Sequence, residues 1–252
     1  MQKRERSVTA RDIVLAGLAL LALWQLVAFL IDKPVLPPPW EVLVAFVQEL
    51  PQELGRHMLV SGWRVIASVL VAVATAVPAG LALGLSPAAD RLFAPIIYLV
   101  YPIPKIVLLP VVLLLLGIGN LSKIFIIALI LFFQILVVVR DEAANLRPEL
   151  IASVRSLGAG RQAILRFVYL PACLPAVLTS LRVSIGTAIA VLFFAESFAT
   201  SSGLGYYIIV ETWGRLAYPE MYAGVMAMSL LGLFLYLIVD RLERAFVPWL
   251  AV

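Results

Sequence analysis

The chain has 252 residues, of which 63% are hydrophobic and 13% are charged, and its mean hydropathy is +1.06. Soluble domains carry about 45–50% apolar and about 25% charged residues, so these values exclude a soluble enzyme and a disordered chain. A transmembrane β-barrel alternates apolar and polar residues, whereas this sequence contains long unbroken apolar runs. The composition therefore predicts an all-α polytopic membrane protein.

Charge and cysteine content narrow the class further. The net charge is +4 and the pI is about 9.4, but the basic residues stand at the ends of apolar runs, which favours membrane topology over nucleic-acid binding. The single cysteine, Cys173, and the single histidine, His57, exclude an intrachain disulfide and any chemistry that needs a Cys/His cluster. We expect both residues to be structural and no metal site to form.

Six segments are long and apolar enough to cross a bilayer, because a spanning helix needs about 20 mostly apolar residues. They are residues 13–31, 58–85, 92–116, 121–139, 172–198 and 221–239. The first is too long for the core of a signal peptide and no small-residue cleavage site follows it, so we interpret it as an uncleaved helix. No segment resembles a second, soluble domain, and residues 1–252 are predicted to form one transmembrane domain.

The distribution of lysine and arginine predicts the orientation. With the N-terminus inside, the inner segments hold twelve basic residues and the outer segments hold four. The twelve include Lys3, Arg4 and Arg6 near the N-terminus and five arginines in the loop of residues 140–171. The positive-inside rule therefore favours both termini in the cytosol.

That inner loop is too long to be a simple connection. Pro148 suits the first turn of a helix, and Gly158 and Gly160 suit its end. The apolar face of this helix would carry Leu150, Ile151, Val154 and Leu157. Glu149, Ser153 and Arg155 would point away from it. The face predicts either docking into another protein or a helix lying flat at the lipid interface. A second helical pattern, residues 161–169, is expected to stop at Leu170-Pro171.

Two further segments carry local signals. Residues 40–50, after a proline-rich stop, have the spacing of a short amphipathic helix at the membrane interface, with Trp40 as its anchor. Gly80 and Gly84 are four residues apart in the second span and would let two helices approach closely.

The third span contains a proline-rich break. Pro102 and Pro104 fall near its centre, and broken helices deep in a membrane often mark the substrate sites of transporters; a packing kink is the alternative. Lys105 follows the break, and a buried lysine faces a cavity or a partner. It could attract an anionic substrate, pair with Glu196, or snorkel to water. Glu196 and Arg182 carry the same ambiguity, and Arg64 is expected to snorkel.

Several motifs together resemble a known family. Gly158, nine further residues and Val168-Tyr169-Leu170-Pro171 resemble the EAA loop of permease subunits of bacterial ATP-binding cassette (ABC) importers. Other segments are similar to the nitrate/sulfonate/taurine branch: Arg155-Ser156-Leu157-Gly158-Ala159, Leu170-Pro171-Ala172-Cys173-Leu174-Pro175, Tyr101-Pro102-Ile103-Pro104, Gly117-Ile118-Gly119, Ala195-Glu196 and Ser202-Gly203-Leu204-Gly205-Tyr206. The acidic residue of the EAA motif is missing, since Ala152-Ser153-Val154 occupy its positions.

The resemblance implies a type I importer permease in the bacterial inner membrane. It implies a homodimer, two ATPase subunits, an extracytoplasmic substrate-binding protein, and import of a small anion such as a sulfonate, taurine or nitrate. The family role of coupling to the ATPase falls on Glu149, Leu150, Ala152, Ser153, Val154, Arg155, Leu157 and Gly158. The loop of Ser202, Gly203, Leu204, Gly205 and Tyr206 resembles one near the outer gate, with an ordinary glycine turn as the alternative.

The chain contains no Gly-x4-Gly-Lys-Ser/Thr phosphate loop. We therefore expect no cofactor on this chain, with ATP and magnesium on the partner ATPase. Other functions stay open: a secondary transporter driven by an ion gradient, an intramembrane enzyme, an export permease, or a permease for an uncharged heteroaromatic precursor. Few acidic residues in the spans disfavour the first, and the absence of a Gly-x-Ser-x-Gly motif disfavours the second.

Overall fold

The computed structural model describes residues 10–198 and 200–248, and every regular element within them is helical. The α-helices are α1 (Ala10–Ile31), α2 (Pro39–Glu49), α3 (Gly55–Leu85), α4 (Pro87–Val100), α5 (Leu109–Leu116), α6 (Asn120–Ala144), α7 (Pro148–Ser156), α8 (Arg161–Ile164), α9 (Leu170–Ser197), α10 (Leu204–Tyr206) and α11 (Tyr218–Phe246). The basic residues Lys3, Arg4 and Arg6 that contribute to the predicted orientation lie outside the described residues. We use "inner" and "outer" for the sides that this orientation predicts.

The number of crossings agrees with the sequence prediction. In the described part of the chain, five helices are long and apolar enough to cross a membrane. A sixth crossing results if α4 and Lys105–Leu116, which are bent by 80°, count as one span. The predicted starts, at about residues 58 and 172, lie two or three residues after the starts of α3 and α9, and both helices are preceded by further helical turns, back to Pro39 and Arg161. Hydropathy marks only the apolar part of a helix.

The helix predicted over residues 40–50 is present as α2. Its Val42 and Ala45 are buried, and it packs against α11. A wide π turn, Leu50–Leu54, then joins it to α3, with a kink at Gln52. Gly55 follows this turn, where a Cβ atom would lie 2.3 Å from the carbonyl oxygen of Leu50. A larger residue therefore does not fit at this joint.

The second helical pattern of the inner loop does not stop at Leu170-Pro171, so that expectation is wrong. α8 runs through the π turn Leu165–Tyr169 directly into α9. A proline lacks an N–H and clashes with the carbonyl four residues earlier. The wide turn that precedes Pro171 removes this conflict, because its hydrogen bonds reach five residues instead of four.

The centre of the bundle is the contact between α3 and α6. α6 also packs against α9, and α9 packs against α11. A Cβ atom on Gly80 would lie 2.9 Å from the Cβ of Val139, and one on Gly84 would lie 2.5 Å from the Cβ of Ala143. The predicted close approach at the two glycines is confirmed. α1, in contrast, is peripheral: its apolar window is 6% buried, and it is tied to the bundle where Trp24 donates a hydrogen bond to the carbonyl of Pro37 at 3.1 Å.

We expect Gly84→Ala to destabilise the protein by roughly 2 kcal/mol, because overpacking one methyl into a tight contact forces the two helices apart. The measurement is thermal unfolding of the purified protein in detergent. Gly17→Ala in α1 is the matched control, since no atom of residues 10–198 and 200–248 lies within 4 Å of its added Cβ. Equal melting temperatures for the two variants would contradict the assignment of α3 and α6 as the tight pair.

Candidate functional site

The inner loop carries a short helix that projects from the bundle. Pro148 is the first residue of α7. Gly158 follows shortly after the end of the helix, and its φ of +83° lies in the left-handed region that glycine tolerates. None of the residues of α7 is buried. The predicted helix is present and exposed, and its role in coupling stays a prediction.

The apolar side of α7 divides into two parts. Ile151 and Val154 are half-buried and pack against the core of the bundle, whereas Leu150 and Leu157 are 48% and 85% exposed. The expectation of one continuous, exposed apolar face is therefore wrong. Ile151 and Val154 are three residues apart and share a helix face, and that face packs against the bundle. The other candidate coupling residues, Glu149, Ala152, Ser153, Arg155 and Gly158, are exposed. Two leucines are thus presented away from the membrane bundle.

The proline-rich segment breaks the third crossing where the sequence predicts it. α4 is followed by residues 101–104, and the chain bends by 80° before the 3₁₀ turn Lys105–Leu108 leads into α5. Pro102 and Pro104 lie in this break. Since prolines cannot donate backbone hydrogen bonds, the last carbonyl groups of α4 need other donors.

Lys105 supplies that donor. Its Nζ lies 3.0 Å from the carbonyl oxygens of both Val100 and Tyr101, and 4.4 Å from the ring centroid of Phe133. A cation is favourable here because the carbonyl end of a helix carries partial negative charge. The side chain is buried and does not contact Glu196, so the alternatives of snorkelling and of a Lys105–Glu196 pair are wrong.

Several cavities flank the break, and two of them share lining residues. A cavity of about 810 Å³ runs along α6 and the inner half of α9, from Ala172 to Thr187. This is about 22 Å of helix at 1.5 Å per residue. A second cavity, of about 400 Å³, is lined by the residues of the break, including Pro102, Pro104 and Lys105. Tyr101 and Gln134 line both cavities. The break therefore opens onto a path that continues along α6 and α9.

Glu196 belongs to a different place, a buried polar cluster at the outer end of the bundle. Its Oε1 accepts a hydrogen bond from Nη1 of Arg64 at 2.7 Å, and its Oε2 accepts one from Oγ of Ser61 at 2.7 Å. Arg64 is 2% exposed and Glu196 is 0% exposed. Nε of Arg64 also donates to Oδ1 of Asn120 at 2.9 Å. The snorkelling expected for Arg64 is therefore wrong, and Glu196 does not join the break at Pro102 and Pro104.

The outer loop is folded onto this cluster. The guanidinium of Arg64 donates to the carbonyl oxygen of Ser202 at 2.8 Å. Three consecutive backbone N–H groups of the loop also donate to side chains: Gly203 to Nδ1 of His57, Leu204 to Oγ of Ser61, and Gly205 to Oε2 of Glu196. Gly203 has φ +112°, and a Cβ on it would lie 2.2 Å from Cδ of Glu196. The loop is more than an ordinary glycine turn, because three consecutive N–H groups bind side chains of α3 and α9.

Two further groups of ion pairs lie near the inner ends of the helices. Arg182 lies 3.2 Å from both Asp240 and Glu243 and so joins α9 to α11. Arg140 on α6 is paired with Asp90 on α4. The structural roles expected for His57 and Cys173 fit their burial, but His57 has a specific partner that the sequence does not reveal.

Sequence reasoning misses Ser61, Asn120 and Gln134. Each is a polar residue in or beside an apolar run, and polar residues inside membrane helices usually face protein or water. This signal could have marked them as candidates. Their partners lie far away in the chain, up to 135 residues for Ser61 and Glu196, so spacing could not have paired them.

A bundle of five or six crossings, broken beside a cavity and carrying an exposed inner helix, has the features of a membrane transport subunit. Residues 76–252 match the model of the binding-protein-dependent transport system inner membrane component family. The chain belongs to this family. It is accordingly the multi-pass permease subunit of an ABC importer in the cytoplasmic membrane, and such subunits work with separate ATPase subunits and a substrate-binding protein. The rival classes of ion-driven transporter, intramembrane enzyme and exporter are thereby set aside.

Similar proteins support the same membership. The taurine transport system permease protein TauC of Escherichia coli is 34% identical over 91% of this chain and 86% of its own length. The aliphatic sulfonates permease SsuC of the same organism is 28% identical over 91% of this chain and 88% of its own. The formylaminopyrimidine permease ThiX of Halalkalibacterium halodurans is 24% identical over 97% of this chain and 98% of its own. A chain of the MetNI methionine ABC transporter in an inward-facing conformation shares the fold, with a TM-score of 0.64 and 21% identity over 77% of this chain and 95% of that chain.

Proposed function

We propose that this permease imports a small organosulfonate such as taurine. The observation that carries the proposal is the 34% identity to the taurine permease over nearly the whole chain. The sulfonate permease adds support from a second relative. Nitrate is a smaller anion of the same branch and serves as a comparison.

The assembly we propose contains two copies of this chain, two ATPase subunits and an extracytoplasmic binding protein. α7 is the part that would dock into the ATPase. Support comes from exposure: Leu150 in α7 and Leu157, which caps its C-terminal end, are apolar and exposed, and an exposed apolar pair of this kind is typical of a docking surface. Ile151 and Val154 fix the helix to the bundle, so that a push on α7 would reach the spans.

In this proposal ATP and magnesium bind the ATPase subunits, and this chain forms no covalent bond to the solute. Closure of the ATPases on ATP would bring the two α7 helices together and turn the cavity outward. Hydrolysis would return it to the inner side. The residues 101–104 suit such a movement, because a chain break concentrates a change of angle in a few backbone dihedrals.

A second candidate substrate is an uncharged or zwitterionic ring compound. Among the residues that line the cavity of about 810 Å³, the charged one is the acidic Glu142. Lys105 borders the smaller cavity, and its ammonium already binds carbonyl groups. This lining favours solutes without a strong negative charge, and the formylaminopyrimidine permease is a relative of matching length.

The test is uptake in proteoliposomes that contain the permease with its ATPase and its binding protein. We expect radiolabelled taurine to accumulate when ATP is present on the α7 side and loaded binding protein on the other. Nitrate and formylaminopyrimidine are run in parallel, and uptake of the pyrimidine without taurine uptake would establish the second candidate. Uptake that persists without ATP and collapses with an ionophore would contradict ATP-driven import.

A further inference from the structure

Gln134 lies beside the break in the third crossing, where two cavities meet. It lies in α6, lines the cavity of about 810 Å³ that runs toward the inner side, and also lines the cavity of about 400 Å³ at the break. Tyr101, the other residue common to the two, belongs to the break itself. A solute that moves from the break to the inner side along α6 and α9 therefore passes the Gln134 side chain.

The hydrogen bonds of Gln134 leave its donor side available. Its Oε1 accepts a hydrogen bond from Oγ of Ser184 on α9 at 3.1 Å. Within residues 10–198 and 200–248, its Nε2 forms no hydrogen bond. An amide has two N–H donors on this nitrogen, and Gln134 is only half-buried. With Oε1 of Gln134 facing Ser184, the two donors on Nε2 are available to a solute.

The charge of the surroundings makes these donors important. Glu142, eight residues further along α6, is the charged residue on the lining of the larger cavity. The ammonium of Lys105 is engaged by the carbonyls of Val100 and Tyr101. The charge of Lys105 remains, but its N–H donors are engaged, so the oxygen atoms of a sulfonate group on this path need other N–H and O–H donors, which a glutamine amide supplies.

We propose that Gln134 is a specificity-determining residue of the path, which donates hydrogen bonds from Nε2 to the oxygen atoms of an organosulfonate as the solute passes. This inference rests on the proposed substrate class. The alternative is that the Gln134–Ser184 bond serves only to hold α6 against α9, as polar residues do between membrane helices.

Three variants in the assembled transporter separate the two roles. Gln134→Glu keeps the shape and still accepts the bond from Ser184, but it removes two donors and places a negative charge opposite the sulfonate group of the solute. Gln134→Met keeps the volume and removes the polar group. Ser184→Ala removes the bond between the helices and leaves the amide in place.

We expect Gln134→Glu to reduce taurine uptake by roughly tenfold or more, because like charges facing each other cost several kcal/mol and about 1.4 kcal/mol corresponds to tenfold. Gln134→Met is expected to fall between this variant and the wild type, and Ser184→Ala is expected to stay within about twofold of the wild type. ATPase stimulation by loaded binding protein should be unchanged in all three, since α7 is untouched. Melting temperatures in detergent check that each variant is folded.

The outcomes are decisive in either direction. Equal losses of uptake and of melting temperature in Gln134→Met and Ser184→Ala, with Gln134→Glu near the wild type, would establish the helix-holding role and overturn the proposal. Wild-type transporter that takes up no sulfonate would instead refute the proposed substrate class. Taurine uptake in the wild type that is unchanged in Gln134→Glu would refute the role of Gln134 alone.

Discussion

Exchange of Glu196 for glutamine is expected to lower the free energy of unfolding of the solubilised permease by about 3 kcal/mol, since removing one partner of a buried ion pair leaves an uncompensated charge. The charges left behind are the guanidinium of Arg64, which is 2% exposed, and the buried ammonium of Lys123, which also interacts electrostatically with Glu196. Glutamine has the shape of glutamate and keeps one oxygen as the acceptor for Ser61 and Gly205, but its NH₂ group then faces Nη1 of Arg64. The loss therefore reports the missing charge together with the hydrogen bond from Arg64. Chemical unfolding in detergent, followed by tryptophan fluorescence, measures it.

Two comparisons test this explanation. Arg56→Met removes the ion pair with Glu53, whose side chains are 58% and 57% exposed; a surface pair of this kind contributes about 0–1 kcal/mol. The double variant Arg64→Met with Glu196→Met removes both members of the buried ion pair, and it should be more stable than either single methionine variant, because replacing a whole buried pair by apolar residues is often neutral. A Glu196→Gln variant as stable as Arg56→Met would contradict a buried charge at Arg64.

Leu157→Asp is expected to release the ATPase from the permease without unfolding the bundle. Leu157 is 85% exposed in the single chain, so aspartate there costs little in the isolated subunit. In the proposed complex the leucine is buried in the ATPase, where losing its burial costs about 1.5–3 kcal/mol and an unpaired carboxylate adds to this. We expect ATPase recovery in a detergent pull-down to fall by roughly tenfold or more.

Leu216→Asp is the matched control for this measurement. Leu216 is an exposed leucine in the outer loop, with a left-handed φ of +60° that aspartate tolerates well. This variant makes the same exchange of leucine for aspartate on the side opposite to α7, and we expect full recovery of the ATPase. If Leu157→Asp also retains the ATPase, α7 is not the coupling helix.

Features that depend on neighbouring residues are well predicted from the sequence. The break at Pro102 and Pro104 follows from the missing N–H groups of proline. α7 begins and ends where Pro148 and Gly158 place it. Gly80 and Gly84 mark a close helix contact, although only the packing reveals that α6 is the partner. These signals are local, because each depends only on residues that are close together in the sequence.

The pairing of charges in the membrane is poorly predicted. Lys105 and Glu196 look like partners because each is a single charge in an apolar segment, but Lys105 binds carbonyls five residues away or fewer. Glu196 binds Arg64, which is 132 residues distant in the chain. A buried charge must find compensation, yet a backbone carbonyl, a side chain or a cavity can each provide it. Sequence cannot choose among them.

By itself the sequence determined that this chain is a helical membrane protein, because hydropathy and the positions of basic residues act on each segment independently of the others. It also determined the exposed inner helix and the proline break, which depend on residues a few positions apart. Only the tertiary structure decided that Arg64 and Glu196 hold the outer loop and that Gln134 lies between two cavities. Those arrangements depend on which helices touch, and helix contacts in a membrane are set by packing and hydrogen bonding across the whole bundle.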